Sequence, residues 1–273
     1  MIDFDIKGYF IDLDGTLLDK SRHKLSDFNS VVLNQVNKTT PIIISTGRGE
    51  SRLIYQLMEK HNLKYAICQN GALIIDRNAN KLLNLTIERN TVHKIIEIAK
   101  KNKVFFLINS RGNFYGPKKS IFRFFADKFS TLSAKPYENF NFNVNIEVNK
   151  ILLIAPIKSK LNEFWDQIKS LGLNVTITTT ANGWAIEITD IKASKGLASI
   201  FVSKLLGIDP QKTVHIGDSM NDSTTLGKVG ALIALEDGSN SLKEIATHIG
   251  PKYKNGGVAK ILNGEFKKNN KNR

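Results

Sequence analysis

The sequence predicts an α/β fold: a doubly wound, Rossmann-like parallel sheet interrupted by an inserted α+β segment. Three observations carry this. Towards both ends of the 273-residue chain, short apolar runs alternate with helical patterns. That rhythm breaks near Asn70 and returns near Ser194. The length also fits two domains, at about 150 residues each.

Taken in order, residues 8–12 are a short apolar run ending in acid, a buried strand by pattern. Phe28, Val31, Val32 and Val36 place a helix over 26–37, and residues 41–45 form a second strand. A helix over 49–61 and a strand over 65–68 follow. Such alternation builds a parallel sheet, which holds ligands at the carboxyl ends of its strands. Beyond Asn70 the order changes. Residues 72–75 and 81–85 read as a hairpin, followed by an amphipathic helix over 90–102 and a strand over 104–109. A Phe-rich helix is expected at 120–129, with strands at 146–155, 175–180 and 184–188. Leu161, Phe164, Trp165, Ile168 and Leu171 share one helical stripe and read as core. The first rhythm then resumes. A helix over 194–206 is capped by Ser194 and stopped by Gly207. Strands over 213–217 and 231–235 and helices from Met220 and over 241–246 complete it. The simplest organisation is one core from residues 1–83 and 189–273, with 84–188 as an inserted α+β domain.

Apolar residues make up 41% of the chain and charged residues 23%, which excludes collagen, a coiled coil and wholesale disorder. No apolar run approaches the ~20 residues of a membrane span. Asp3 and Asp5 stand where an export signal would be basic. The single Cys68 builds no disulfide framework, and five scattered histidines show no zinc spacing. The chain therefore reads as cytoplasmic, without a membrane partner, and as a monomer or weak homo-oligomer. The net charge is +14, of which +7 falls in residues 84–188. Lys outnumbers Arg 31 to 8, beside 27 Asn, which reads as compositional bias. A basic insert would still suit an anionic substrate, with Arg111, Lys118 and Arg123 as possible contacts. Nucleic-acid binding, a non-enzymatic alternative raised by the charge, has no recognisable motif here, so no nucleic-acid partner is expected.

Four short motifs sit at strand ends or helix starts. Asp12-Leu13-Asp14-Gly15-Thr16 closes the first strand. Two carboxylates two apart in extended chain point the same way and repel, so they need a cation or a shared proton. Read without context, the pair is also a plain Asp-Gly turn. Gly217-Asp218-Ser219-Met220-Asn221-Asp222 follows a later strand in the same manner, as ligands or as a helix cap. Oxygen donors without His or Cys favour Mg²⁺ over zinc. Ser45-Thr46-Gly47-Arg48 suits either phosphate binding or capping of the next helix. Lys195 opens a helix against its dipole, a cost that a phosphate or an aspartate would offset. His215, inside a strand, reads as a packed residue rather than a catalyst. Together the motifs meet the needs of phosphoryl transfer through an aspartyl-phosphate.

In this order the four motifs resemble those of the haloacid dehalogenase-like hydrolases. Asn70-Gly71-Ala72, the long insert, Trp184-Ala185-Ile186-Glu187-Ile188 and Asn255-Gly256-Gly257-Val258-Ala259 are similar to the Cof-type subfamily. The resemblance implies a Mg²⁺-dependent phosphatase for small phosphorylated metabolites, of sugar phosphate, pyridoxal phosphate or flavin mononucleotide type. A phosphosugar mutase is the alternative within the family. It implies Asp12 as nucleophile and Asp14 as general acid and base, with Thr46, Gly47, Lys195 and Asn221 on the phosphoryl oxygens. Asp12, Asp218 and the backbone carbonyl of Asp14 would hold the metal, and Asp222 would support them. The insert would be a cap that selects the substrate.

Overall fold

The computed structural model describes residues 2–18, 24–110, 113–116, 134–136, 147–155, 157–180, 184–254 and 256–270. The helix expected at 120–129, and Arg111, Lys118, Arg123 and Asn255, lie outside them. The chain divides into two compact units, Met1–Leu83 with Ala193–Arg273, and Asn84–Lys192.

The first unit is built on one sheet. Strands β1 (Gly8–Ile11), β2 (Ile42–Ser45) and β3 (Tyr65–Cys68) run outward in one direction, and β4 (Leu73–Asp76) and β5 (Lys81–Asn84) extend that side. On the other side of β1 lie β12 (Thr213–Gly217), β13 (Ala231–Leu235), β14 (His248–Gly250) and β15 (Lys267–Lys268). The six strands from β14 to β3 are mutually parallel. The edges are not: β4 pairs antiparallel with β3, and β15 with β14. The reason at the first edge is length. The turn Gln69–Gly71 is too short to return the chain to the start of the sheet.

Helices cover both faces, as alternation along the strands requires. Tyr9 and Ile11 pack with Leu33 of α1 (Asp27–Val36), Ile54 and Met58 of α2 (Arg52–Lys60), and a late helix over Gly257–Leu262. Phe10 points the other way, to Ala198 and Val202 of the helix Lys195–Leu205. Beside it, Leu232 and Ala234 pack on Leu242 of the helix Asn240–Ile245. The expected helix from Met220 is a six-residue 3-10 turn, Met220–Thr225. Ser194 caps its helix as expected, accepting from the Leu197 N–H at 3.1 Å.

In the second unit, β6 (Phe105–Ser110), β7 (Asn113–Gly116), β8 (Ala134–Pro136), β9 (Val148–Ile154), β10 (Val175–Thr180) and β11 (Ala185–Asp190) form a sheet in the order β10-β11-β9-β6-β7-β8. Its pairings are antiparallel except β7 with β8. Helices Arg89–Lys101 and Lys158–Ser170 bury Val92, Ile95, Leu161, Phe164 and Ile168 against it; of the predicted stripe, Leu161, Phe164 and Ile168 are core, Trp165 is half-buried and Leu171, past the helix end, is exposed. Among the described residues no helix is long and apolar enough to cross a membrane.

Candidate active site

Strand order reverses at β1, which has β2 on one side and β12 on the other. Crevices of parallel sheets form at such points, beyond the carboxyl ends of the strands. Ile11 is in register with Ile216, and the Asp12 N–H bonds the Ile216 carbonyl at 2.9 Å. Asp12 and Asp218 therefore leave neighbouring strands side by side. Asp12, Asp218 and Asp222 are buried and can each offer an oxygen within 4.8 Å of the others.

Lys195 enters from the start of its helix. Its Nζ donates to Asp12 Oδ1 at 2.6 Å and to Asp222 Oδ1 at 2.7 Å, with the side chain wholly buried. The locally unfavourable lysine at a helix N-terminus is thus explained by two carboxylates. Asp222 Oδ2 accepts the backbone N–H groups of Asp218 and Ser219, at 3.1 and 3.0 Å. His215 Nε2 lies 2.7 Å from Asp222 Oδ1. Gly217 keeps this arrangement compact: a Cβ there would stand 2.2 Å from the Asp222 carboxyl carbon.

Charge settles unevenly over these groups. Burial pushes the Asp12 carboxyl up to about 8, against the pull of Lys195, with Asp222 and Asp218 adding repulsion. Burial opposes the charge of Asp222 as well, but Lys195 and His215 together hold it well below the usual carboxylate range. Burial also disfavours the Lys195 ammonium, yet Asp12 and Asp222 outweigh that and keep it charged. One ammonium thus serves two carboxylates, which leaves Asp12 short of positive charge. That deficit and the all-oxygen donor set fit a hard divalent cation.

A second group adjoins the TGR segment. The Thr46 hydroxyl accepts from the Arg48 N–H at 3.1 Å, and the Asn70 N–H bonds the Thr46 carbonyl at 3.0 Å. Asn70 Oδ1 in turn accepts from Asn221 Nδ2 at 3.0 Å, and a Cβ on Gly47 would meet that same oxygen at 3.0 Å. Gln69 and Asn70 hold φ of 51° and 55°, the left-handed conformation that side chains disfavour. Strain of this kind is tolerated where a side chain has to be aimed.

Three sequence readings change. The helix after Thr46 begins only at Arg52, and Thr46 does not cap it. Asp12 and Asp14 do not lie on an extended strand: β1 ends at Ile11 and Gly15 turns at φ 83°. The Asp14 carboxylate is instead gripped by Arg48, with Nε to Oδ2 at 2.7 Å and Nη2 to Oδ1 at 2.6 Å. Asp222 takes the third place in the carboxylate cluster. Arg48, Asn70 and His215 join the site without a role assigned from sequence. The signal for Arg48 was present, a scarce arginine directly after Thr46-Gly47 at a strand end.

Known proteins agree with this architecture. A family model described as haloacid dehalogenase-like hydrolase matches residues 9–262. The chain is 25% identical over 280 residues to a Bacillus subtilis phosphatase, covering 92% of this chain and 97% of that one. It is 26% identical over 263 residues to a 5-amino-6-(5-phospho-D-ribitylamino)uracil phosphatase of the same organism, covering 95% and 96%. A haloacid dehalogenase-like hydrolase from B. subtilis has the same fold, with a TM-score of 0.83, 24% identity and coverage of 94% and 99%.

Proposed function

The chain belongs to the haloacid dehalogenase-like hydrolases, and on that footing we propose that it is a Mg²⁺-dependent phosphatase of small phosphorylated metabolites. The observation that carries the reading is Asp12, buried at the switch point of the sheet, against Lys195 and beside Asp218. The phosphatases among its relatives support the reaction class, and the ribitylaminouracil phosphatase supports a small phosphorylated metabolite.

In the first step a carboxylate oxygen of Asp12 attacks phosphorus. The phosphorus–oxygen bond to the alcohol breaks, and Asp14 gives its proton to the departing oxygen. In the second step Asp14 takes a proton from water, the water oxygen attacks phosphorus, and the acyl-phosphate bond breaks. Inorganic phosphate leaves and Asp12 is again a carboxylate. Lys195 holds Asp12 and a phosphoryl oxygen. The Thr46 hydroxyl, the Gly47 backbone and the Asn221 amide take the others. Asp12, Asp218 and the Asp14 carbonyl would hold Mg²⁺, which when bound offsets the repulsion between carboxylate and phosphate. Asp222 fixes Lys195. The Arg48 pair has to open before the Asp14 carboxyl can carry a proton, and a substrate phosphate competing for the guanidinium supplies a means.

We assign residues 84–188 the role of a cap that selects the substrate. Phosphate release from a panel of phosphorylated metabolites tests the reading, with and without Mg²⁺, beside Asp12→Asn. Mg²⁺-dependent release that disappears in the variant is expected. No release by folded protein that binds Mg²⁺, or undiminished release by the variant, contradicts it.

A further inference from the structure

Along β12, Val214 and Ile216 point to the cluster of Tyr9 and Ile11. His215 lies between them and so faces the other side of the sheet, in register with Phe10 and Leu232, both fully buried. An aliphatic residue would fill such a slot at no polar cost. Here the imidazole is wholly buried, and its Nδ1 has no hydrogen-bond partner. Its compensation is the single contact of Nε2 with Asp222 Oδ1, at 2.7 Å. The carboxylate is an acceptor, so Nε2 carries the proton and the orphan Nδ1 is a bare lone pair. Burial, the largest influence on this ring, also favours the neutral form.

We propose that His215 is a positioning residue that locks Asp222, and through it holds Lys195 against Asp12. The bond count gives the reason. Asp222 Oδ1 receives Lys195 and His215, and Oδ2 receives two backbone N–H groups. Four donors fill the acceptor sites of a carboxylate. Asp222 therefore cannot rotate, and the lysine that spans it and Asp12 is fixed at both contacts. Saturation also leaves Asp222 without a direction to offer a cation. That leaves Asp12 and Asp218 as the ligands expected from the cluster, although Asp222 belongs to it too. A missing donor from His215 would free Oδ1 to turn towards the cation.

The inference deepens the phosphatase reading and rests on it for the activity measurement alone. Two variants separate shape from hydrogen bonding. His215→Phe fills the slot without a donor, and His215→Gln places an amide N–H near the position of Nε2. With p-nitrophenyl phosphate and Mg²⁺, His215→Phe is expected to lose roughly 10- to 100-fold in kcat, the size of one hydrogen bond to a charged group. His215→Gln is expected to recover most of that loss, irrespective of which variant melts lower. Calorimetric Mg²⁺ titration is expected to show tighter binding in His215→Phe than in the wild type. In the wild-type protein, ¹⁵N NMR of the imidazole is expected to show a neutral ring protonated at Nε2. Wild-type kcat in folded His215→Phe, equal losses in both variants, or a ring protonated at Nδ1 would each overturn the proposal. If the wild-type protein hydrolyses no phosphate ester, the phosphatase reading fails. The tautomer and the Mg²⁺ titration then still decide the role of His215, and when His215→Phe does not fold, the tautomer in the wild-type protein decides it.

Discussion

Asp12 works under opposed demands: attack on phosphorus needs its carboxylate, while burial pushes its carboxyl up to about 8. Without a cation it keeps its proton at neutral pH. Ligation needs the ionised form, so Mg²⁺ binding at pH 7 is expected to release about one proton per site. Calorimetry in buffers of different ionisation enthalpy reads this directly, and Asp12→Asn is expected to abolish it. The linkage has a definite sign. A carboxyl raised above its unfolded value of 3.8 binds its proton more tightly in the folded state. Its contribution to metal-free stability is present below pH 3.8 and is lost as pH rises through about 8. Lys195→Met leaves the buried Asp222 carboxylate without its ammonium and is expected to cost about 3–5 kcal/mol in urea unfolding. Asp12, Lys195 and Asp218 were legible as candidates because each is a charge where an apolar strand ends or a helix starts; each alone also fits a turn, a surface lysine or a helix cap, and the four motifs together decided between them. The partners of Arg48 and Asn70 were not legible. The first meets Asp14 across 34 positions, and the second meets Asn221 across 151. Such pairings exist only once β1, β2 and β12 lie together.

Strand ends and helix starts are the parts that bring these residues into contact, and their glycines set how closely. A Cβ on Gly196 would stand 2.0 Å from the Thr224 carbonyl oxygen, where the Lys195 helix meets the Met220–Thr225 turn. Gly217→Ala and Gly196→Ala are therefore expected to destabilise by about 1–3 kcal/mol, as overpacking does. Activity is expected to fall further than stability explains, because both shifts displace Asp222 or Lys195. Melting curves beside kcat check this. β3, β10, β12 and β13 were read at their observed limits, since short runs poor in charge and flanked by polar residues or Gly leave little choice. The helix over Gly257–Leu262 was not read, because six residues hold too little periodicity. The hairpin of β4 and β5 was read, but the edge at β15 was hidden. β15 is two exposed lysines, which carry no apolar signal, and it is fixed only by pairing with β14.

At the scale of the whole chain, the change of rhythm near Asn70 and Ser194 was visible because parallel and antiparallel sheets need different connections. The boundary of the two units falls after Lys192, in a turn after β11, a few residues beyond the expected 188. The net charge of +14 has its own test. If it is solvated surface, binding to random duplex DNA is expected to fade by about 0.15 M salt. Binding retained at that salt would give the basic residues a partner. The central chemistry is tested most directly by trapping the covalent form. Mg²⁺-loaded protein would be mixed with a substrate from the phosphate-release panel, acid-quenched within one turnover, reduced with borohydride and mapped by mass spectrometry. The proposed route predicts homoserine at position 12 and nowhere else, the mark of an aspartyl-phosphate. A phosphorylated histidine or serine, or full turnover with no modified residue at position 12, would contradict it.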